Sequence, residues 1–510
     1  MRSAIFLGVL AFYGCASSPS YRPPAVEPPA AFREVSDDPH VKARAPEGPH
    51  PQAPSSEGSV GPHSLAPSPT GTDGPHPLAP SPFGRGGTKD EPGVSLDYWE
   101  HLGDTTLLRL VGEVVRANLD VQAARARVSA TRSDRVRTML DLTPSATVES
   151  GYARQRLSAA NFPGASGVFP DQSVWDAGVN ASWDLDVFGQ IRHNVQARGA
   201  LVGAAQEELR DVQVTLTAEV ARAYFELRGA QEQLEVARQN AENQSHTFDL
   251  TRQRLDAGRG SAFDTERAQA QLSSTLASIP AREAEVAAAQ YRIGTLVGRA
   301  PSEVARELEQ PGRLPPLPDT TTIERPEAVV RYRPDVAAAE RLAAAQGALV
   351  GAAKASYLPR LTIGASAGYA APEFQAVGDQ GTFRYVVGPV ITWPGLNLGR
   401  VKAEVDAAQA REEAARAQYS RVVLAAMEDV QTSLSRYRAA RKRVERLQEA
   451  SAASERAAEL ARLRFSEGAT DFLQVLDAQR TQLEAQDRWA QGRTDAATAY
   501  AALYRALGGR

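Results

Sequence analysis

The residues from Val174 to Phe188 alternate between apolar and polar without a lapse. Trp175, Ala177, Val179, Ala181, Trp183, Leu185 and Val187 take one face; Asp176, Gly178, Asn180, Ser182, Asp184 and Asp186 take the other. Period two is the signature of a β-strand with unlike faces. Leu361, Ile363, Ala365, Ala367 and Tyr369 repeat the pattern against Thr362, Gly364, Ser366 and Gly368. Phe383 to Trp393 alternates less cleanly, and Pro144 to Ala153 least. The predicted strand pairs are residues 143–153 with 174–188, and 358–370 with 383–394. About ten to thirteen tilted residues cross a bilayer, with lipid on the apolar side, water on the polar side and aromatics at the headgroups. A soluble hairpin packed on helices is the competing reading. It exposes either the Trp and Val row or the Asp row to the wrong medium.

Between these strands the period changes to that of helices. Leu107 to Met139 places Leu107, Leu110, Val111, Val114 and Val115 on one face, before Pro144. Gln190 to about Ala257 and Lys402 to about Glu467 read as helices approaching 100 Å, at about 1.5 Å per residue. After Gly258 and Gly468 the chain returns as helices over Ala262 to Leu296 and Asp471 to Leu507. Heptad-like spacing makes each pair an antiparallel coiled coil, and Pro280 is expected to kink the first return helix.

The whole arrangement occurs twice. Trp183-Asp-Leu-Asp-Val-Phe-Gly189 returns as Trp393-Pro-Gly-Leu-Asn-Leu-Gly399, 210 residues later, and Gly258 returns as Gly468. Upstream, Leu119-Asp120-Val121 answers Pro334-Asp335-Val336 at a separation of 215, as Pro144 answers Pro359. The repeats are assigned to residues 94–325 and 326–510. Four strands are too few to close a membrane barrel, which needs about eight, so the chain must assemble. Three copies give about twelve strands and a water-filled lumen; four copies also close.

Composition fits long solvated helices: aromatics are 6% of 510 residues, and the mean hydropathy is −0.35. A net charge of −4 over 57 basic and 61 acidic residues argues against nucleic acid as a partner. No apolar run reaches the length of a transmembrane helix. The amino terminus reads as an export signal over residues 1–14, with Arg2 and an apolar Ala4 to Phe12, ending before Cys15, the one cysteine. Such a Cys resembles a bacterial lipoprotein site that takes a diacylglycerol; an ordinary signal with an incidental Cys is the alternative. Residues 15–34 form a tether. Residues 35–93 are a Pro/Gly/Ser/His-rich insert with the repeats Gly48-Pro49-His50, Gly61-Pro62-His63 and Gly74-Pro75-His76, expected to be disordered. Its histidines read as low-complexity sequence, and no metal or cofactor is expected beyond the lipid on Cys15.

Enzymatic chemistry finds no support. Gly364-Ala365-Ser366-Ala367-Gly368 matches a nucleophile-elbow pattern, but the segment reads as a strand and no His follows it. There is no phosphate loop, dinucleotide fingerprint or His/Cys metal spacing. The two helical turns carry the candidate contacts: Arg254 and Gly258 in the first, Arg464 and Gly468 in the second. They end the coiled coils at the far end from the strands, where a second protein can dock.

A set of short motifs completes the picture: Tyr21-Arg-Pro-Pro24 after Cys15, Asp184-Leu-Asp-Val-Phe-Gly-Gln190, Leu296-Val-Gly-Arg-Ala-Pro301, Arg333-Pro-Asp-Val336, Tyr357-Leu-Pro-Arg-Leu361 and Val475-Leu-Asp-Ala-Gln-Arg480. Together they resemble outer-membrane efflux channels of the TolC/OprM kind, lipoprotein branch, over about Leu96 to Gly509. The resemblance implies an α+β membrane protein: a homotrimer whose twelve-stranded β-barrel, four strands per chain, continues into a periplasmic α-helical barrel of coiled coils. It implies a passive outer-membrane exit channel of a tripartite efflux system, with a periplasmic adaptor on the tips and an inner-membrane pump. The alternatives are a lipid-anchored periplasmic adaptor without a pore, and a type I secretion duct for polypeptides. Relatives close the periplasmic entrance with acidic rings; the matching positions are Gln474 and Asp477. Some also latch it with a Tyr and an Arg bonding beside Asp264. Here Phe465 and Thr470 stand at those two places, which leaves closure to packing.

Overall fold

The four alternating segments become one antiparallel sheet, and the helical ones become long hairpins stacked beneath it. A computed structural model describes residues 41–43, 97–158, 169–318, 321–323, 329–330 and 332–509. Cys15, the export signal, the tether and nearly all of the 35–93 insert lie outside the described residues.

In chain order the elements are β1 (Val41–Ala43), α1 (Asp97–Glu100), α2 (Thr105–Ala117), α3 (Leu119–Leu140), β2 (Ser145–Gln155), β3 (Gln172–Leu185) and α4 (Gln190–Asp256). Then follow α5 (Ala262–Leu296), α6 (Pro301–Glu307), β4 (Thr321–Ile323), α7 (Pro334–Ala355), β5 (Arg360–Ala371), β6 (Phe383–Thr392), α8 (Leu398–Ser466) and α9 (Phe472–Ala506). The membrane-type sheet has the order β2-β3-β5-β6, every pair antiparallel. Its register sets Tyr152 opposite Trp175, Gly178 opposite Gly368 and Gly368 opposite Arg384.

Two details differ from the sequence reading. The helix expected from Leu107 to Met139 breaks at Asn118. Its Oδ1 accepts from the backbone N–H groups of Asp120 and Val121, starting α3, while its Nδ2 donates 2.8 Å to the Leu296 carbonyl. A side chain that caps one helix and holds the end of another outcompetes simple continuation. Second, among the described residues of the insert Val41–Ala43 pairs in parallel with Thr321–Ile323. That tripeptide precedes the first Gly-Pro-His unit and is free of its turn-forming residues. The helix α5 continues through Pro280.

The duplication extends to single hydrogen bonds. The Trp183 indole donates 2.9 Å to the Leu142 carbonyl, and the Trp393 indole donates 3.1 Å to the Tyr357 carbonyl. Gly258 and Gly468 end the long helices with φ of 69° and 75°. At each end the next residue's N–H returns 2.8 Å to a carbonyl five positions back, Arg259 to Arg254 and Ala469 to Arg464. A side chain at these left-handed positions is strained, which accounts for glycine at both.

The core lies where the hairpins cross α1 and α2. Trp99, Leu107, Leu110, Phe225, Leu227 and Leu503 are fully or nearly fully enclosed. The Tyr98 ring stacks on Tyr500 at 4.6 Å, and Tyr224 donates 2.6 Å to Asp104. Burial, and next the bond to Asp104, push the Tyr224 phenol up to about 12. Toward the tips the core gives way to a polar seam between α4 and α9: Asn240 with Gln486, Gln233 with Asp487 and Gln479 with Thr247. Gly229 lies at the closest approach in this seam. A Cβ there would stand 1.9 Å from the Thr494 hydroxyl and within 2.9 Å of its Cβ.

Replacing Gly229 by Val is therefore expected to destabilise the chain by about 1–3 kcal/mol through overpacking. Heat-modifiable electrophoresis of the assembled protein should show dissociation at a lower temperature. Gly364→Ala, where a Cβ meets nothing within 4 Å, should leave that temperature unchanged.

Candidate channel wall and helical tips

The sheet declares which face is inside. A Cβ on Gly178 would lie 2.9 Å from the Ala367 carbonyl oxygen, and one on Gly368 only 2.6 Å from the Gly178 Cα. Such crowding means that β3 and β5 fold toward each other on this side, so this is the concave face. Only glycine allows the crease. Glu149, Asp176, Asn180, Ser182, Asp184, Thr362 and Arg384 share it by register and parity.

These polar groups satisfy one another across strands. Asn180 donates 2.8 Å to Glu149, Thr362 donates 2.5 Å to Asp184, and Arg384 reaches over Gly368 to pair with Asp176. Ser366 sits mid-strand opposite Asn180, so the Gly-Ala-Ser-Ala-Gly pattern is part of this wall. The convex face is apolar and bare. Val148 is 83% exposed, Tyr385 71% and Ile391 70%. Rows of that kind are stable against lipid or a neighbouring chain and costly in water. β6 keeps the weaker pattern read in its sequence, with Val386 and Val390 on the concave side. No described helix is long and apolar enough to cross a membrane.

A cross-hairpin contact of Arg254 helps join the helical tips. Arg254, at the end of α4, donates 2.9 Å to the Phe465 carbonyl and 3.1 Å to the Ser466 carbonyl. Its guanidinium lies 4.3 Å from the centre of the Phe465 ring. It thus caps the carboxyl end of α8, where a cation is favoured. Beneath it, Ala268, Phe465, Phe472 and Val475 form a small apolar cluster drawn from α5, α8 and α9. The half-buried Arg254 side chain therefore faces inward, whereas Gly258, Arg464 and Gly468 are exposed at the ends.

Asp471 caps α9 by accepting from the Gln474 N–H at 3.1 Å, and Thr470 donates 2.5 Å to the Gln474 side chain. Asp477 is exposed one turn further, with Arg480 at 3.1 Å. Asp264 lies in the first turn of α5. Phe465, considered above only as a missing Tyr, supplies both a ring and a carbonyl to Arg254. Arg333 is the other residue whose role the sequence left unread. Buried, it donates 2.9 Å to the Ala506 carbonyl and pairs with Asp335 at 2.7 Å and Asp429 at 3.3 Å, tying α7 to α8 and α9. Its signal was Arg-Pro-Asp, a Pro helix start with an acid in the first turn. Among the described residues no cluster of His, Cys, Asp or Glu could hold a metal.

A creased four-stranded wall on two duplicated helical hairpins defines a channel protein assembled from several chains. Residues 110–299 and 326–509 match the family model described as "Outer membrane efflux protein", and the chain belongs to that family. The family is one of channels, and its members are not an enzyme family. The sequence is 29% identical to "Outer membrane protein OprJ" of Pseudomonas aeruginosa, over 81% of this chain and 86% of that protein. It is 27% identical to "Probable outer membrane lipoprotein SilC" of Salmonella typhimurium, over 74% and 80%. The solved outer-membrane channel OprN superposes with a TM-score of 0.76 at 37% identity, over 82% of this chain and 94% of that one. The protein is an outer-membrane efflux channel in which three chains give about twelve strands to one barrel, continued by long helices.

Replacing Arg254 by Ala should loosen the second tip. Amide exchange over residues 464–470 is expected to quicken about tenfold, the loss of about 1.4 kcal/mol. Equal protection in the variant would show the contact to be ornamental.

Proposed function

We propose that the chain is the passive exit duct of a tripartite efflux system, carrying small molecules from a pump and a periplasmic adaptor to the outside. The observation that carries this is the two-faced sheet. A hydrogen-bonded polar wall on its concave side needs water, and the apolar rows on its convex side need lipid. Nothing in the wall supplies energy or catalysis, so transport is downhill here and driven from the inner membrane.

The adaptor docks on the helical ends. An open groove of about 450 Å³ lies between α4 and α8 just above the tips, lined by Leu250, Leu463 and Val475 together with His246, Glu459 and Arg462. A lining of apolar and charged side chains suits the end of a partner's helical hairpin, and the exposed Arg464 is next to Leu463 in sequence. Cys15 carries the lipid that anchors the chain, in keeping with the lipoprotein named among its relatives.

Asp477, Gln474 and Asp264 line the periplasmic aperture. Three copies of Asp477 near one axis attract cations. Arg480 partly offsets each carboxylate, which makes this ring weaker than one of unpaired acids. In planar bilayers Asp477→Ala should raise single-channel conductance and weaken divalent-cation block roughly threefold, about 0.7 kcal/mol. Unchanged block would remove Asp477 from the aperture.

A further inference from the structure

On the convex face, residues of β2 and β3 follow a fixed order toward the end away from the helices. Tyr152 stands opposite Trp175, and Arg154 opposite Ser173; Arg156 then meets Asp171. Strand parity places Tyr152, Arg154, Ser173 and Trp175 on the face that meets lipid, and Arg156 and Asp171 lie just past the strand ends, where Asp171 reaches both arginines. The Tyr152 and Trp175 rings lie 4.6 Å apart, and Phe374 packs edge-on against Trp175 at 5.2 Å. Such aromatic groups settle at the headgroup level of a bilayer. The arginines are therefore one residue pair further out, in the headgroup layer itself.

We propose that Arg154 and Arg156 form a binding site for the phosphate of an anionic lipid in the outer leaflet. The step rests on the membrane placement of the sheet argued above. Two guanidiniums share one carboxylate: Arg156 holds Asp171 at 2.6 Å, while Arg154 approaches it only to 3.6 Å. Their side chains are 60% and 69% exposed, so most of their donors stay available. A guanidinium fork matches phosphate oxygens in pairs, which an ammonium does not. The aromatic patch supplies the adjoining contact for acyl chains, which a free phosphate ion does not need. The source is thus a lipid, and among outer-leaflet lipids a phosphorylated glycolipid is the fitting class.

The test uses the full-length assembled protein and native mass spectrometry, with bisphosphorylated lipid A, its dephosphorylated form and inorganic phosphate as probes. The native protein should retain the phosphorylated lipid about tenfold better than the dephosphorylated one. Arg154→Gln with Arg156→Gln should abolish that preference. Asp171→Asn, which removes the competing carboxylate, should increase it. Equal retention of both lipids by the native protein, an undiminished preference in the double variant, or displacement by millimolar inorganic phosphate would each overturn the site. Bilayer conductance of the double variant separates the two readings: it should match the native value, and loss of conductance in the native protein would instead count against the channel itself.

Discussion

A backbone in hydrocarbon has no water to bond with, so every N–H and C=O must find a partner in the protein. That constraint governs this molecule. Its sheet has four strands, and β2 and β6 each leave one edge open. An open edge cannot stand in lipid, and four strands cannot curl far enough to meet themselves. The chain is thus incomplete alone, and its convex rows of Val, Tyr and Ile need lipid as much as its edges need neighbouring chains. The crease at Gly178 and Gly368 supplies curvature that closure of the barrel requires, on the side where polar groups can meet water.

Duplication makes the assembly economical, and its imperfections locate function. The two halves share indole-to-carbonyl bonds at the sheet–helix junction and the same glycine ends at the tips. They part company in the helical hairpins. Arg254 of the first half crosses to the second, whereas Arg464, its counterpart 210 residues on, is exposed. A polar seam joins α4 to α9 in the same region, in place of an apolar core. Polar side-chain pairs can exchange for water at modest cost. The lower hairpins are accordingly held by contacts that are specific yet reversible, beneath a rigid aromatic core at Trp99 and Tyr500.

Much of this was legible in the sequence because it is local. Period-two alternation, glycine stops and repeat spacing name the strands, the long helices and their turns. The Asn118 break was not legible: apolar positions stay in phase on both sides of it, and the deciding bond goes to Leu296, 178 residues away. Arg254 and Phe465 are likewise 211 residues apart, so no window along the chain shows their contact. The Arg254 contact is made to backbone carbonyls, which carry no side-chain signature. The inside of the sheet was read correctly from Asp and Asn, but the glycine crease that marks it appears only when strands are paired.

The alternation itself is the claim on which everything else stands, and cysteine accessibility tests it directly. Single Cys replacements at Val179, Asn180, Ala181 and Ser182 in the assembled channel, treated with a membrane-impermeant maleimide against the parent chain, give four readings. Asn180→Cys and Ser182→Cys should label readily and Val179→Cys and Ala181→Cys should not. Uniform labelling, or the opposite pattern, would contradict a wall with water on one side and lipid on the other.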